Sequence, residues 1–166
     1  MNFDIGAITP SLGFLMQGLR YSVQLTLVAT AVGIGFGTLL ALALLSPLRW
    51  LNLAAAGYVN LFRSVPLVLV IFWFYLLVPL LMGVQVGAER SAYLTFAIFE
   101  SAYFCEIIRA GIQSIGRGQV SAGLAMGFTY GQNMRYVILP QAFRNVVPLL
   151  LMQVIILFQD TSLVYV

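Results

Sequence analysis

The chain has 166 residues, of which 61% are hydrophobic and 8% charged, and its mean hydropathy is +1.00. Soluble domains run at about 45–50% apolar and about 25% charged, so this composition excludes a soluble globular protein and marks an integral membrane protein. The net charge of +3 is carried by arginines too scattered for a nucleic-acid surface; with no histidine and the single Cys105, the usual general base, the commonest metal ligand and an internal disulfide are all missing. Neither an enzyme nor a cofactor or metal site is expected in this chain alone.

In chain order, Thr9-Pro10 reads as an N-cap followed by proline at the first helical position. Leu12, Leu15, Met16 and Leu19 then recur at helical spacing. The spacing predicts a short amphipathic helix over about 9–20 lying on the outer face. A cleaved signal peptide is the alternative, against which stand the missing basic n-region and small-residue cleavage site. Apolar runs matched to the roughly 20 residues of a bilayer core predict four spans, at about Tyr21–Leu45, Val65–Leu81, Ser91–Ile108 and Val146–Val166. Arg49 and Arg63 fall between the first two, and Arg109, Arg117, Arg135 and Arg144 between the last two, whereas only Arg20 and Arg90 lie on the other side. The positive-inside rule then places the N-terminus outside and the connection after the third span in the cytoplasm.

Within the first span, Gly33, Gly35 and Gly37 mimic a phosphate loop, but no strand precedes them and no lysine follows. Gly33 and Gly37, spaced as GxxxG, instead allow close helix packing. Neither a repeat nor a linker divides the chain, so one transmembrane domain over residues 1–166 is expected.

The connection after the third span is long, polar and ordered in its residues. Ser121-Ala122-Gly123 is followed after three residues by Gly127, and after nine more by Val137-Ile138-Leu139-Pro140. This resembles the cytoplasmic EAA loop of ABC-importer permeases, whose pattern is Glu-Ala-Ala, three residues, Gly, nine residues, Ile-x-Leu-Pro. Three further segments are similar to the polar amino-acid family of those permeases: Phe62-Arg63-Ser64-Val65-Pro66-Leu67 to its FRGTPL, Tyr103 through Ile115 to its Y-x-x-E-I-x-R-G-G-I-x-S-I, and Asp160-Thr161-Ser162-Leu163 to its K-D-T-S-L. The run Phe158 through Val166 is similar to the glutamate/aspartate branch. Ser121 stands where the signature has glutamate, and Gln159 where the family has lysine. The family has five spans and ends in the cytoplasm; four spans stopping at Val166 point to a truncated sequence.

The resemblance implies an all-α, polytopic helix bundle of the type I importer kind. It would form half of a dimeric translocation pore with a second permease subunit, import a polar and acidic amino acid delivered by an extracytoplasmic solute-binding protein, and sit in the bacterial inner membrane, contacting lipid. A separate ATP-binding subunit would hydrolyse ATP and meet the loop 118–144, with Ser121, Ala122, Gly123, Gly127, Leu139 and Pro140 as its signature positions. From the residues themselves, Gln119–Met126 and Thr129–Val137 can each form a short helix, with Gly127 permitting a sharp turn. An ordinary amphipathic connection along the membrane surface is the other reading of that loop.

Ionisable groups inside a membrane are functional candidates by default. Glu100 lies nine residues into the third span, some 14 Å deep at 1.5 Å per residue. Glu106 and Arg109, at i and i+3, can pair on one helix face. Gln159 and Asp160 sit in the outer half of the fourth span, where a carboxylate suits a substrate's α-ammonium. For Glu100 and Asp160, a pathway role and a helix-to-helix hydrogen bond are both open. Those carboxylates also leave a second function class, an ion- or proton-coupled secondary transporter fragment, and a membrane scaffold as a third.

Overall fold

The computed structural model describes residues 11–83 and 87–165, and among them every regular element is helical. The first, α1 (Leu12–Leu44), runs 33 residues without a break. At 1.5 Å per residue it is about 50 Å long against a core of about 30 Å, so it is longer than the hydrocarbon is thick. This corrects the expected separate surface helix: residues 12–20 are collinear with the span, since nothing around Arg20 breaks the backbone, while Thr9 and Pro10 lie outside the described residues. The hydroxyls of Thr26 and Thr38 donate to Ser22 O and Ile34 O one turn back, at 2.8 and 2.7 Å, which satisfies them where water is absent.

The connection expected between the first two spans is itself a helix, α2 (Arg49–Ser64). Apolar Ala55 and Val59 bury one face. At Val65-Pro66 the chain bends by 107°, because a residue before proline is driven to extended geometry and Val65 sits at φ −110°, ψ 134°. The second span is then three pieces, α3 (Leu67–Phe72), a π-helical turn (Trp73–Leu77) and α4 (Val78–Met82), ending on left-handed Gly83. Pro79 has no N–H for the carbonyl one turn earlier, and the widened turn stands immediately before it.

The third span is α5 (Ala88–Gln113), the hub of the molecule. Its Phe96, Phe99, Phe104, Cys105 and Ile108 are buried among α1, α2 and α3 on one side and the last helix on the other. Next come α6 (Arg117–Ala125), α7 (Tyr130–Asn133), a second π turn (Met134–Ile138), α8 (Leu139–Asp160) and a 3-10 turn (Thr161–Tyr165). This π turn also precedes a proline, Pro140, for the same reason. The helical run that carries the fourth span thus begins at Tyr130, ahead of the apolar stretch, and the second half of the polar loop is continuous with it. Among the described residues, three helices are long and apolar enough to cross a membrane, or up to four if α2 and the pieces after it count as one broken span.

Glycines set the closest approaches. A Cβ on Gly37 would lie 2.8 Å from both Cys105 N and Ser101 O, and one on Gly33 would lie 2.8 Å from Phe104 Cδ2, so the GxxxG face of α1 meets α5 backbone at Gly37 and the Phe104 ring at Gly33. Gly35 has nothing within 4 Å, which disposes of any joint role for the three. Gly111 performs the same service between α5 and α8, where a Cβ would meet Val146 Cγ1 at 2.1 Å.

Candidate functional site

The loop signature builds a stop and a restart. Past the end of α6, Phe128 N–H donates to Gly123 O at 3.2 Å and Gly127 N–H to Leu124 O at 2.9 Å, with Gly127 at φ +80°. This is a Schellman cap, and it needs the left-handed residue that glycine supplies at no steric cost. Thr129 then opens α7 with a reciprocal capping box, its Oγ1 accepting from Gln132 N–H at 3.3 Å and its own N–H donating to Gln132 Oε1 at 2.9 Å.

Between the two helices, Asn133 is 1% exposed and donates through Nδ2 to Val120 O at 2.9 Å. Its side chain occupies the space that a Cβ on Gly123 would fill, 2.0 Å from Oδ1. Gln141 Nε2 reaches Gln119 Oε1 at 3.3 Å, and Asn145 Nδ2 reaches Ser114 Oγ at 2.9 Å, tying α8 back to α6 and to the end of α5. The sequence reading missed Asn133 and the capping box; T-x-x-Q at Thr129–Gln132 was the available signal, whereas nothing local distinguishes Asn133.

The signature positions therefore divide by role. Gly123 and Gly127 serve the fold of the loop, and Ser121 and Ala122 are exposed. Leu139 and Pro140 open α8 and are exposed on its first turn. Beside Ser121 and Ala122, the apolar Leu124, Met126 (71% exposed) and Tyr130 (70% exposed) project from the turn with no covering side chains.

The second and third motif segments meet each other. The expected pair forms in bidentate geometry, Arg109 Nε to Glu106 Oε2 at 2.8 Å and Nη2 to Oε1 at 2.6 Å, while Arg109 Nη1 donates to Gln113 Oε1 at 2.6 Å. Arg63 of α2 joins at 3.4 Å from Glu106 Oε1, and its guanidinium lies 5.7 Å from the centre of the Tyr103 ring. Tyr58 OH also reaches α5, within 2.8 Å of Ile98 O and Ser101 Oγ. Ahead of the sharp bend at Val65-Pro66, α2 is held to α5 at both points.

The candidate pathway residues share no hydrogen bond, although Asp160 lies close enough to Glu100 to act on its charge. Glu100 is 0% exposed; its Oε2 accepts from Gln153 Nε2 of α8 at 2.9 Å, and its Oε1 has no partner. With Gly33 of α1 against its Cβ, it marks a three-helix junction. Gln159 is exposed and Asp160 half-buried at the far end of α8. An apolar cavity of about 270 Å³ between α3, α5 and the 3-10 turn is lined by Val68, Tyr75, Ser91 and Leu163, and by none of these three.

Residues 33–166 match the family model described as a binding-protein-dependent transport system inner membrane component. The chain is 52% identical to the glutamate/aspartate import permease protein GltK of Escherichia coli O157:H7, over 99% of its own length and 76% of that protein's. It is 35% identical to the arginine transport system permease protein ArtQ of Bacillus subtilis, over 99% and 75%. Among solved structures, an amino acid ABC transporter crystallised with histidines superposes with a TM-score of 0.92 at 32% identity, covering 99% of this chain and 77% of that one. The methionine transporter MetNI shares the fold, with a TM-score of 0.76 at 22% identity over 92% and 73%. The chain belongs to the family of binding-protein-dependent transport system inner membrane components and is a permease subunit of the amino-acid ABC importer kind.

Proposed function

We propose that this chain is half of a dimeric pore that imports acidic amino acids, glutamate and aspartate above all, with ATP hydrolysed by a separate subunit. The observation that carries the coupling role is the loop 117–138: two short helices locked by a glycine cap, a capping box and a buried asparagine, with Leu124, Met126 and Tyr130 bare at the tip. A bare apolar tip on a polar segment suits insertion into a cleft of the ATP-binding subunit, and its rigid ties to α5 and α8 suit transmission of force. Ser121 and Ala122 would lie in that contact without the salt bridge a glutamate could make, while Leu139 and Pro140 would set the angle at which α8 leaves it. The substrate rests on the 52% identity to a glutamate/aspartate permease.

The arginine bias puts this loop in the cytoplasm and the N-terminus outside, with a second permease subunit and a solute-binding protein completing the assembly. Glu100 acts as an acceptor that ties α5 to α8 in this conformation. Asp160 and Gln159 remain the groups placed to meet a substrate's α-ammonium. Family membership leaves no support for an ion-coupled transporter. Two experiments test the reading. A cysteine at Tyr130 should react with an impermeant reagent only from the cytoplasmic face, and one at Ala88 only from outside; reversed labelling sinks the docking role. Proteoliposomes holding the assembled complex should take up glutamate with ATP and solute-binding protein, and not with an ion gradient alone.

A further inference from the structure

An acidic amino acid brings two carboxylates and an ammonium, yet the interior junction offers it Glu100 and an amide rather than a cation. The cations are gathered elsewhere. A cleft of about 260 Å³ opens where the end of α1, α2 and α5 meet, and its polar lining is Asn52, Asn60, Glu106, Arg109 and Gln113. That size is near the low end of the roughly 300–1,000 Å³ of small-molecule sites and suits a metabolite.

The hydrogen-bond inventory leaves the cleft with capacity. Arg109 commits three of its five N–H groups to Glu106 and Gln113. Gln113 accepts through Oε1, which leaves its amide N–H groups available. Asn52 donates through Nδ2 to Leu44 O and keeps its Oδ1 as an acceptor. Arg63, outside the lining, shares Glu106 with Arg109, so two guanidiniums face one carboxylate and the local charge is net positive.

We propose that this cleft binds free acidic amino acid from the side bearing the coupling loop, an exit site at which accumulated product slows further import. The ligand's side-chain carboxylate, which alanine lacks, would be met by Arg109, Gln113 and Asn60, and its ammonium by Glu106 and the Asn52 oxygen. This rests on the import reading above. In contrast to the buried junction at Glu100, the cleft is open and needs no helix to move before it is occupied.

The test uses the whole complex in nanodiscs, without solute-binding protein, and labelled glutamate as the probe. Wild type should bind glutamate, and Asn60→Leu combined with Gln113→Leu should weaken binding about tenfold, the ratio expected from ~1.4 kcal/mol of lost hydrogen bonding. In proteoliposomes, glutamate loaded on the loop side should slow ATP-driven uptake by wild type, internal alanine should not, and the double variant should escape the slowing. Absence of binding, equal binding by the variant, or slowing that survives the double substitution each overturns the exit site. Glutamate binding at the cleft in a complex that fails to import glutamate would instead defeat the import reading and leave the cleft standing.

Discussion

The seam between α1 and α5 and the loop 117–138 are both organised by glycines, but by opposite physics. In the seam, Gly33 and Gly37 matter for the side chain they lack: Gly33 makes room for the Phe104 ring, and a Cβ at Gly37 would press first on main-chain atoms of Ser101 and Cys105. In the loop, Gly127 has nothing within 4 Å and matters for its φ of +80°. One region is held by close packing between distant segments, the other largely by short-range hydrogen bonds, of which Asn133 to Val120 spans 13 residues. A membrane permease needs both, since lipid supplies little force to press helices together and a loop outside the membrane must keep its shape without a core.

Substitutions can break this contrast. The largest effect is expected for Gly37→Leu, at ~3 kcal/mol, because neither Cys105 N nor Ser101 O can yield. Buried Cys105 sits in this seam, so thermal exposure of its thiol to a reactive dye reads the loss directly. Gly35→Leu, with open space around it, should leave the melting curve in place; equal damage from both would remove the packing argument.

Gly127→Val comes next, at about 2 kcal/mol against the left-handed backbone. Here the predicted failure is of another kind: the Cys105 melt should move little while ATPase stimulation by loaded binding protein and uptake both fall. Normal coupling in this variant would mean the cap is dispensable. Thr129→Ala should cost about 1 kcal/mol of loop order, visible as faster amide exchange across 117–133 with the span helices unaffected. Smallest is Glu100→Gln. Its amide still accepts from Gln153, and interhelical hydrogen bonds in membranes average about 0.6 kcal/mol, so assembly and uptake should stay near wild type. A deep loss of uptake at normal assembly would restore Glu100 to the pathway.

Much of this was legible in the chain because its signals are local. Apolar runs announce the spans, an i, i+3 spacing announces Glu106–Arg109, and a glycine between two short helical patterns announces the turn. The expectations that failed also failed for local reasons. Residues 12–20 were separated from the first span by amphipathic appearance, although the backbone has no cause to stop there. Between the first two spans, where the sequence singles out only Arg49 and Arg63, the structure adds a helix, because helix formation needs only one face to bury and α5 provides the surface for Ala55 and Val59.

The sequence alone therefore determined the class, the membrane order, the family motifs and the turn, since each depends on composition or on residues within a few positions of one another. Only the tertiary structure decided that the chain turns by 107° after α2, that Arg63 reaches Glu106 over 43 positions of chain, that Gln153 is the partner of Glu100, and that Asn52, Asn60, Arg109 and Gln113 share one cleft. Such contacts join segments that no periodicity relates. They exist because glycines let the helices approach and because a buried polar group must find whatever partner the neighbouring helix presents.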